Sequence, residues 1–258
     1  MSSNSQQWHV IGNGPGRGEI RQNERLIRFN QPFSWPESST LVISNGRIKG
    51  INKPFLVEGQ KPPHDFECRL NETSGVLESQ LGVRPSAGLA TLFVLREEPC
   101  NIRISCMDLL PSIARPQQLS NRTPLACCFH NWLGERRIIL PWVHKLDWPG
   151  FWLSGLDGPK LDLASDPYPP LLSLPSIDRQ EGMALIRRLA GLPHACWKAY
   201  ATEEQLTQAE QLFLLFRGVR DTQNWWLFDP EASAFMARIH HTLAVVQQRL
   251  LSPVQALQ

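Results

Sequence analysis

No run of about 18 consecutive apolar residues, the length a helix needs to cross a bilayer, occurs in this chain. Its longest apolar stretches are broken by Arg, Asp or Pro. The opening residues, Met1-Ser2-Ser3-Asn4-Ser5-Gln6-Gln7, lack the basic-then-apolar pattern of a secretory signal. An excess of charge of one sign is missing as well. Twenty-six basic and 24 acidic residues leave a net charge of +2, so no global attraction to nucleic acid or to an acidic membrane follows. No Cys-x-x-Cys pair and no Asp-x-Asp metal motif appear, and no internal repeat or low-complexity tract. Cys68, Cys100, Cys106, Cys127, Cys128 and Cys196 therefore read as reduced, mostly buried thiols, not as zinc ligands or a redox pair. Cys127 and Cys128 are placed on a strand, where neighbouring side chains point to opposite faces. These absences predict a cytoplasmic protein with no membrane span, no nucleic-acid partner and no bound cofactor.

What is present is enough for a core. Apolar residues make up 42% of 258, which suits one α/β domain with a helical appendage or two small domains. Residues 8–11, 25–30 and 40–44 read as strands, with Pro32, Pro36 and Ser38-Ser39 between the second and third, and Phe55-Leu56-Val57 as a fourth. Residues 60–75, polar and proline-bearing, read as a surface loop. Ser86 is a candidate N-cap for a buried helix over 87–95, and Asn101 to Cys106 reads as the strand after it. That alternation predicts an α/β fold: a Rossmann-like sheet of about five to seven strands with flanking helices. Residues 125–129 and 137–140 fit strand and strand, or strand and helix.

From 141 to 176 the chain is rich in proline (Pro141, Pro149, Pro159, Pro167, Pro169, Pro170, Pro175) and carries Trp142, Trp148 and Trp152. This is too apolar for a flexible linker and reads as an ordered cover. Three helical patterns follow: Asp178–Ala190, stopped by Gly191-Leu192-Pro193; Thr202–Arg217, opened by a Thr202/Gln205 capping box; and Pro230–Leu251, capped by Asp229. The expected division is a core over 1–140, a Pro/Trp-rich segment over 141–177 and a helical region over 178–258.

Gly12-x-Gly14-x-Gly16 follows the first strand. A dinucleotide fingerprint wants G-x-G-x-x-G, an immediate helix and an acidic residue about 20 positions on. Here position 17 is Arg, Pro15 lies in the turn, and the next strand ends in Arg28-Phe29-Asn30 with no acid. A NAD site is disfavoured. The turn can still serve a nucleotide, since glycines allow close backbone approach to phosphate, Asn13 offers donor and acceptor, and Arg28 a charged fork. A plain β-turn with an exposed Asn is the alternative.

Four segments in order, Gly12-Asn13, Arg28-Phe29-Asn30, Pro85-Ser86-Ala87-Gly88 and His130 with Glu135, resemble the motifs of the metal-independent sialyltransferases, which use CMP-sugar donors. That family has a Gly-Asn turn, Arg-x-Asn, Pro-Ser-Thr-Gly at a helix start, and His followed by Glu five places on. The resemblance covers roughly residues 8–140, and Ala87 stands where the family has threonine. It implies an inverting glycosyltransferase moving an acidic sugar, sialic acid or a related keto-acid, from a CMP donor to a glycan hydroxyl. Gly12, Asn13, Gly14, Arg28, Asn30, Ser86 and Gly88 would hold the nucleotide, and His130 would be the general base. Glu135 would support a loop, with an ion pair to Arg136 or Arg137 as the alternative. No metal is implied, and the chain reads as a bacterial-type soluble relative without the animal enzymes' membrane anchor. The family's His-Tyr motif is not recognisable, and a strand ending in Ser105-Cys106-Met107-Asp108 stands where Gly-Phe is usual. Asp108 is a candidate catalytic or acceptor-binding carboxylate, or a loop cap. The alternative reading is a degenerate nucleotide-binding or interaction protein without transfer.

Histidine chemistry is compatible with the role given to His130, because an imidazole titrates near working pH without tuning. A core histidine at a strand end is the structural alternative. His240-His241 are adjacent on a helix and do not share the face a metal site needs, so they read as surface residues. Trp225-Trp226 either stack on a sugar or fill a helix junction. His64-Asp65-Phe66-x-Cys68 completes no metal spacing, and no G-x-S-x-G elbow surrounds Ser86.

Overall fold

The computed structural model describes residues 6–16, 18–30, 40–46, 53–59, 64–120, 123, 125–155, 165–214 and 222–252. The chain divides into two compact units, Met1–Asp108 with Trp142–Phe151, and Leu109–Pro141 with Trp152–Gln258. One break, between Pro141 and Trp142, lies one residue from the boundary expected at 140, and none lies at 177.

The first unit is Rossmann-like α/β, as its strand–helix alternation predicts. Its sheet holds β1 (Gln6–Ile11), β2 (Glu24–Phe29), β3 (Thr40–Asn45), β4 (Phe55–Gly59) and β5 (Cys100–Ser105), in the order β4-β3-β2-β1-β5. β5, β1, β2 and β3 are parallel, and β4 closes one edge antiparallel to β3. Strand order therefore reverses at β1, with β2 on one side and β5 on the other. Register aligns Val10 with Ile27 and Ile104, Ile27 with Leu41, and Phe29 with Ile43, so these buried side chains share one face. Near the start of β1 the guanidinium of Arg25 lies 4.2 Å over the Trp8 ring. On the outer side of β5, Asp147 pairs by backbone with Ile102 and Ile104 and covers what would be an open edge.

Two helices follow β4. The helix expected over 87–95 is present as α2 (Ala87–Leu95), with Ser86 capping it through Oγ, which accepts from Leu89 N at 3.1 Å. The loop expected over 60–75 is a correction. Residues 60–63 lie outside the described residues, but Phe66–Leu81 is a helix, α1. Phe66, Leu70, Leu77 and Leu81 form its buried stripe, interrupted by Ser74. Its polar residues hold the edge strand. The Asn71 amide bonds both Phe55 N (2.9 Å) and Phe55 O (3.1 Å), and Glu67 accepts from Val57 N at 3.2 Å. Residues at i and i+4 share a helix face, so the polarity that looked like a loop is a helix surface matched to β4 backbone. Gly82, at φ +73, closes α1 with its N–H on Glu78 O.

The second unit is helical: α3 (Trp132–Ile139), α4 (Tyr168–Leu172), α5 (Arg179–Ala190), α6 (His194–Tyr200), α7 (Glu203–Gln211) and α8 (Pro230–Leu251). α8 is its centre, packing Met236, Ile239, Leu243 and Val246 inward and touching α3, α5 and α6. Its cap is as expected, Asp229 accepting from Glu231 N and Ala232 N, both at 3.0 Å, with Pro230 in the first turn. Asp178 caps α5, and Thr202 with Gln205 forms the capping box of α7. α7 ends at Gln211, earlier than the expected Arg217, and residues 215–217 lie outside the described residues. Trp226 is buried edge-on against Phe213 and fills a helix junction. His240, expected at the surface, is buried against Phe213, because the middle turns of α8 bury most of their positions.

Replacing Asn71 with Ala leaves two backbone groups of the edge strand without their partner. A loss of about 1–3 kcal/mol in unfolding free energy is expected, together with faster amide exchange at Phe55. Unchanged exchange there would show that the clamp does not hold β4.

Candidate functional site

In an open parallel sheet, ligands bind outside the carboxyl ends of strands, where strand order reverses. Here that place lies between β1 and β5, and it is unusually tight. Gly12 N donates to Ser105 O (2.9 Å) and Gly14 N to Cys106 O (2.8 Å), so the glycine turn runs on along the end of β5. A Cβ on Gly12 would stand 2.2 Å from Cys106 O, and one on Gly14 2.7 Å from the same atom. A Cβ on Gly88, in the first turn of α2, would stand 2.6 Å from Met107 Sδ. Three of the expected nucleotide-binding residues thus converge on Cys106 and Met107: a larger residue at 12 or 14 would meet backbone and push that segment away, and one at 88 would displace the Met107 side chain. Cys106 itself has φ +53, a left-handed conformation for a side chain that is not Gly. Trp148 Nε1 steadies the same segment by donating to Met107 O at 2.6 Å.

The remaining expected residues of this unit line the same sheet edge. Asn13 is exposed, and its amide donates to Phe29 O at 3.0 Å, tying the turn to the end of β2. Asn30, at φ +51, accepts from Asn45 N through Oδ1 at 3.0 Å and ties β2 to β3. Arg28 is half-buried on β2 in register with Ile11. Asp108 is exposed three residues beyond β5 and is the last residue of this stretch of the first unit.

His130 and Glu135 belong to the second unit. Residues 126–129 are a 3-10 turn, not the expected strand, and α3 follows it. His130 is half-buried at the end of that turn, edge-on to Trp132 with ring centroids 5.0 Å apart. Asn131 caps α3 by accepting from Gly134 N at 2.9 Å. Glu135 is completely buried within α3. Arg137 forms an ion pair with Glu210 of α7, bidentate at 2.8 and 3.1 Å. Asn131 Nδ2 (3.4 Å) and Gln247 Nε2 (3.2 Å) complete the shell around Glu210.

One cluster at the first site was not anticipated. His9 on β1, Glu24 on β2, and Arg103 and Ser105 on β5 meet on the second face of the sheet. Arg103 Nε donates to Glu24 Oε1 (2.6 Å), and its Nη2 reaches Glu24 Oε2, Glu19 O and His9 Nδ1. His9 Nδ1 lies 2.8 Å from Arg103 Nη2, which can only donate, and 3.2 Å from Glu24 Oε2, which can only accept, while Nε2 faces Ser105 Oγ at 2.7 Å. Ser105, His9 and Glu24 are in the order of Ser–His–Glu hydrolytic machinery, but Arg103 occupies both Glu24 oxygens and also bonds His9 Nδ1, which makes this a charge network. The cluster is a brace under residues 18–24. His9 and Arg103 carry a sequence signal, since each sits at a strand position between two apolar neighbours, whereas Glu24 lies between Asn23 and Arg25. Burial and the nearby Arg103 lower the His9 pKa to about 4, against an opposing pull from Glu24. Glu24 is held below the usual carboxylate range by its bonds from Arg103 and Arg21, which outweigh its desolvation.

Among the described residues, no group of three or more His, Cys, Asp or Glu is placed to hold a metal ion, and no helix is long and apolar enough to cross a membrane. Comparison with protein-family models, with curated proteins and with solved structures gives no match.

A histidine whose pKa falls on folding binds protons more readily when unfolded, so stability declines as pH drops from about 6.5 towards 4. Glu24 adds loss of the same sign at lower pH, and buried His240, lowered to about 3, contributes across the same range in the second unit. In His9→Gln the decline in denaturation midpoint over this window should be shallower. Arg103→Ala should cost about 3–5 kcal/mol by stranding Glu24, while the double change Glu24→Leu/Arg103→Met restores most of it. A parallel pH slope in His9→Gln, or no recovery in the double variant, would remove the brace from this account.

Proposed function

We propose that this protein is an inverting glycosyltransferase that takes an acidic sugar, sialic acid or a related keto-acid, from a CMP donor to a glycan hydroxyl. The observation that carries the reading is the convergence of Gly12, Gly14 and Gly88 on the Cys106–Met107 segment where strand order reverses. Their close approach fixes the turn after β1 at the carboxyl end of the sheet, the place where such sheets hold nucleotides. The order of motifs along the chain supports the choice of CMP.

In this reading Gly12, Asn13, Gly14, Arg28, Asn30, Ser86 and Gly88 hold the cytidine monophosphate, and Asp108 and Glu135 are supporting residues. The acceptor oxygen attacks the anomeric carbon as the bond to phosphate breaks, and the hydroxyl proton passes to His130. One phosphate leaves, so amides, Asn and Arg suffice to stabilise it. A second reading is a degenerate protein that binds a nucleotide or a partner without transfer, favoured by the missing His-Tyr motif. Ala87 supports it too.

Thermal unfolding against CMP, CMP-sialic acid, CMP-Kdo, UDP-sugars and NAD separates these readings. At 100 times its dissociation constant a ligand stabilises by about 2.7 kcal/mol. A shift with CMP compounds that disappears in Asn13→Ala is expected, with His130→Ala keeping the shift and losing transfer. CMP binding in a wild-type protein that transfers nothing would select the second reading. A shift with NAD and none with CMP would sink both.

A further inference from the structure

Adjacent cysteines on a strand would point apart, but the 3-10 turn over 126–129 brings both to one side. Cys127 Sγ and Cys128 Sγ lie 4.0 Å apart. Cys128 is buried, whereas Cys127 is half-buried with its Sγ on Ser112 O at 3.4 Å. The bond from Cys128 draws the Cys127 thiol below its ordinary range, while the same contact and burial push Cys128 up. Cys127 is thus the more nucleophilic and the more accessible of the two. The carbonyl of Cys127, in the peptide joining them, accepts from Trp132 Nε1 at 2.6 Å and from His130 N at 3.5 Å.

We propose that Cys127 and Cys128 form a dithiol modification site that closes to a vicinal disulfide with a small-molecule disulfide as oxidant. The Cys127 thiolate attacks one sulfur of the oxidant and expels the other as a thiolate. Cys128, giving up its proton, then attacks Cys127 Sγ, and the second oxidant sulfur leaves. Two protein thiols are oxidised and one disulfide is reduced to two thiols, which take up the two protons. Closing the small ring constrains the intervening peptide, so the Cys127 carbonyl cannot keep its bonds to Trp132 and to the His130 turn unchanged. The chemistry stands whether or not His130 is a base.

The test uses the full chain with oxidised glutathione, alkylation of remaining thiols, and trypsin. Both cysteines lie in the peptide Thr123–Arg136. That peptide should appear without alkylation, about 2 Da lighter than its reduced form, and form about tenfold faster in the native protein than in urea because the turn preorganises the pair. Cys127→Ser should abolish the mass loss, and Cys128→Ala should trap glutathione on Cys127. Two alkylated cysteines, a link to any other cysteine, or equal rates in urea and in native buffer would each overturn the assignment.

Discussion

Taking a guanidinium out of water costs several kcal/mol unless its donors are matched, and Arg103 is buried on β5. Its partners come from every neighbouring piece: Glu24 from β2, His9 from β1 and Glu19 O from the connection between them. That need explains why the β1–β2 connection carries no helix among its described residues. A helix would offer that face an apolar stripe. An extended crossover can turn a carbonyl toward Arg103 and let Gly18 pass close to Ser105, where a Cβ would stand 2.6 Å from Oγ. The turn that opens the crossover, Gly12 to Gly16, is therefore set from below by charge and from the side by β5 backbone.

The second unit repeats the device with different residues. Glu210 is buried on α7, and it is neutralised by Arg137 and bonded by Asn131 and Gln247. Arg136, also buried, bonds Gln248, which in turn clasps Leu153 N and O. The segment from His130 to Arg137 thus has a structural duty that is independent of any catalysis. Its polar residues link α3 to α7 and α8, and a change at Asn131, Arg136 or Arg137 acts on packing as well as on whatever His130 does.

A functional reading accordingly rests on the first unit's sheet edge more than on the His130 segment. The glycines there are required by packing, since a Cβ at position 12 or 14 would meet Cys106 O, so the functional weight falls on where the turn sits, at the carboxyl end of β1 where strand order reverses. Charged clusters are easier to explain without function, because buried charges need partners wherever they occur.

Much of the fold could be read from residue order. Alternation marked the strands at 8–11, 25–30 and 40–44, Ser86 marked α2, and Asp178, Thr202 and Asp229 marked three helix starts, because caps and strand periodicity depend on neighbours in the chain. The glycine turn and its place after β1 were legible for the same reason. Tertiary structure decided the rest. The apolar spacing at 66, 70, 77 and 81 was in the sequence, but only the β4 backbone bonded by Glu67 and Asn71 explains the polar face of that helix, and His240 was buried because α8 is surrounded. Cys127 and Cys128 came to one side because a 3-10 turn replaced a strand, while Trp142–Phe151 joined the first unit through Asp147 and Trp148. Each depends on partners far away in sequence, and neither composition nor periodicity carries that information.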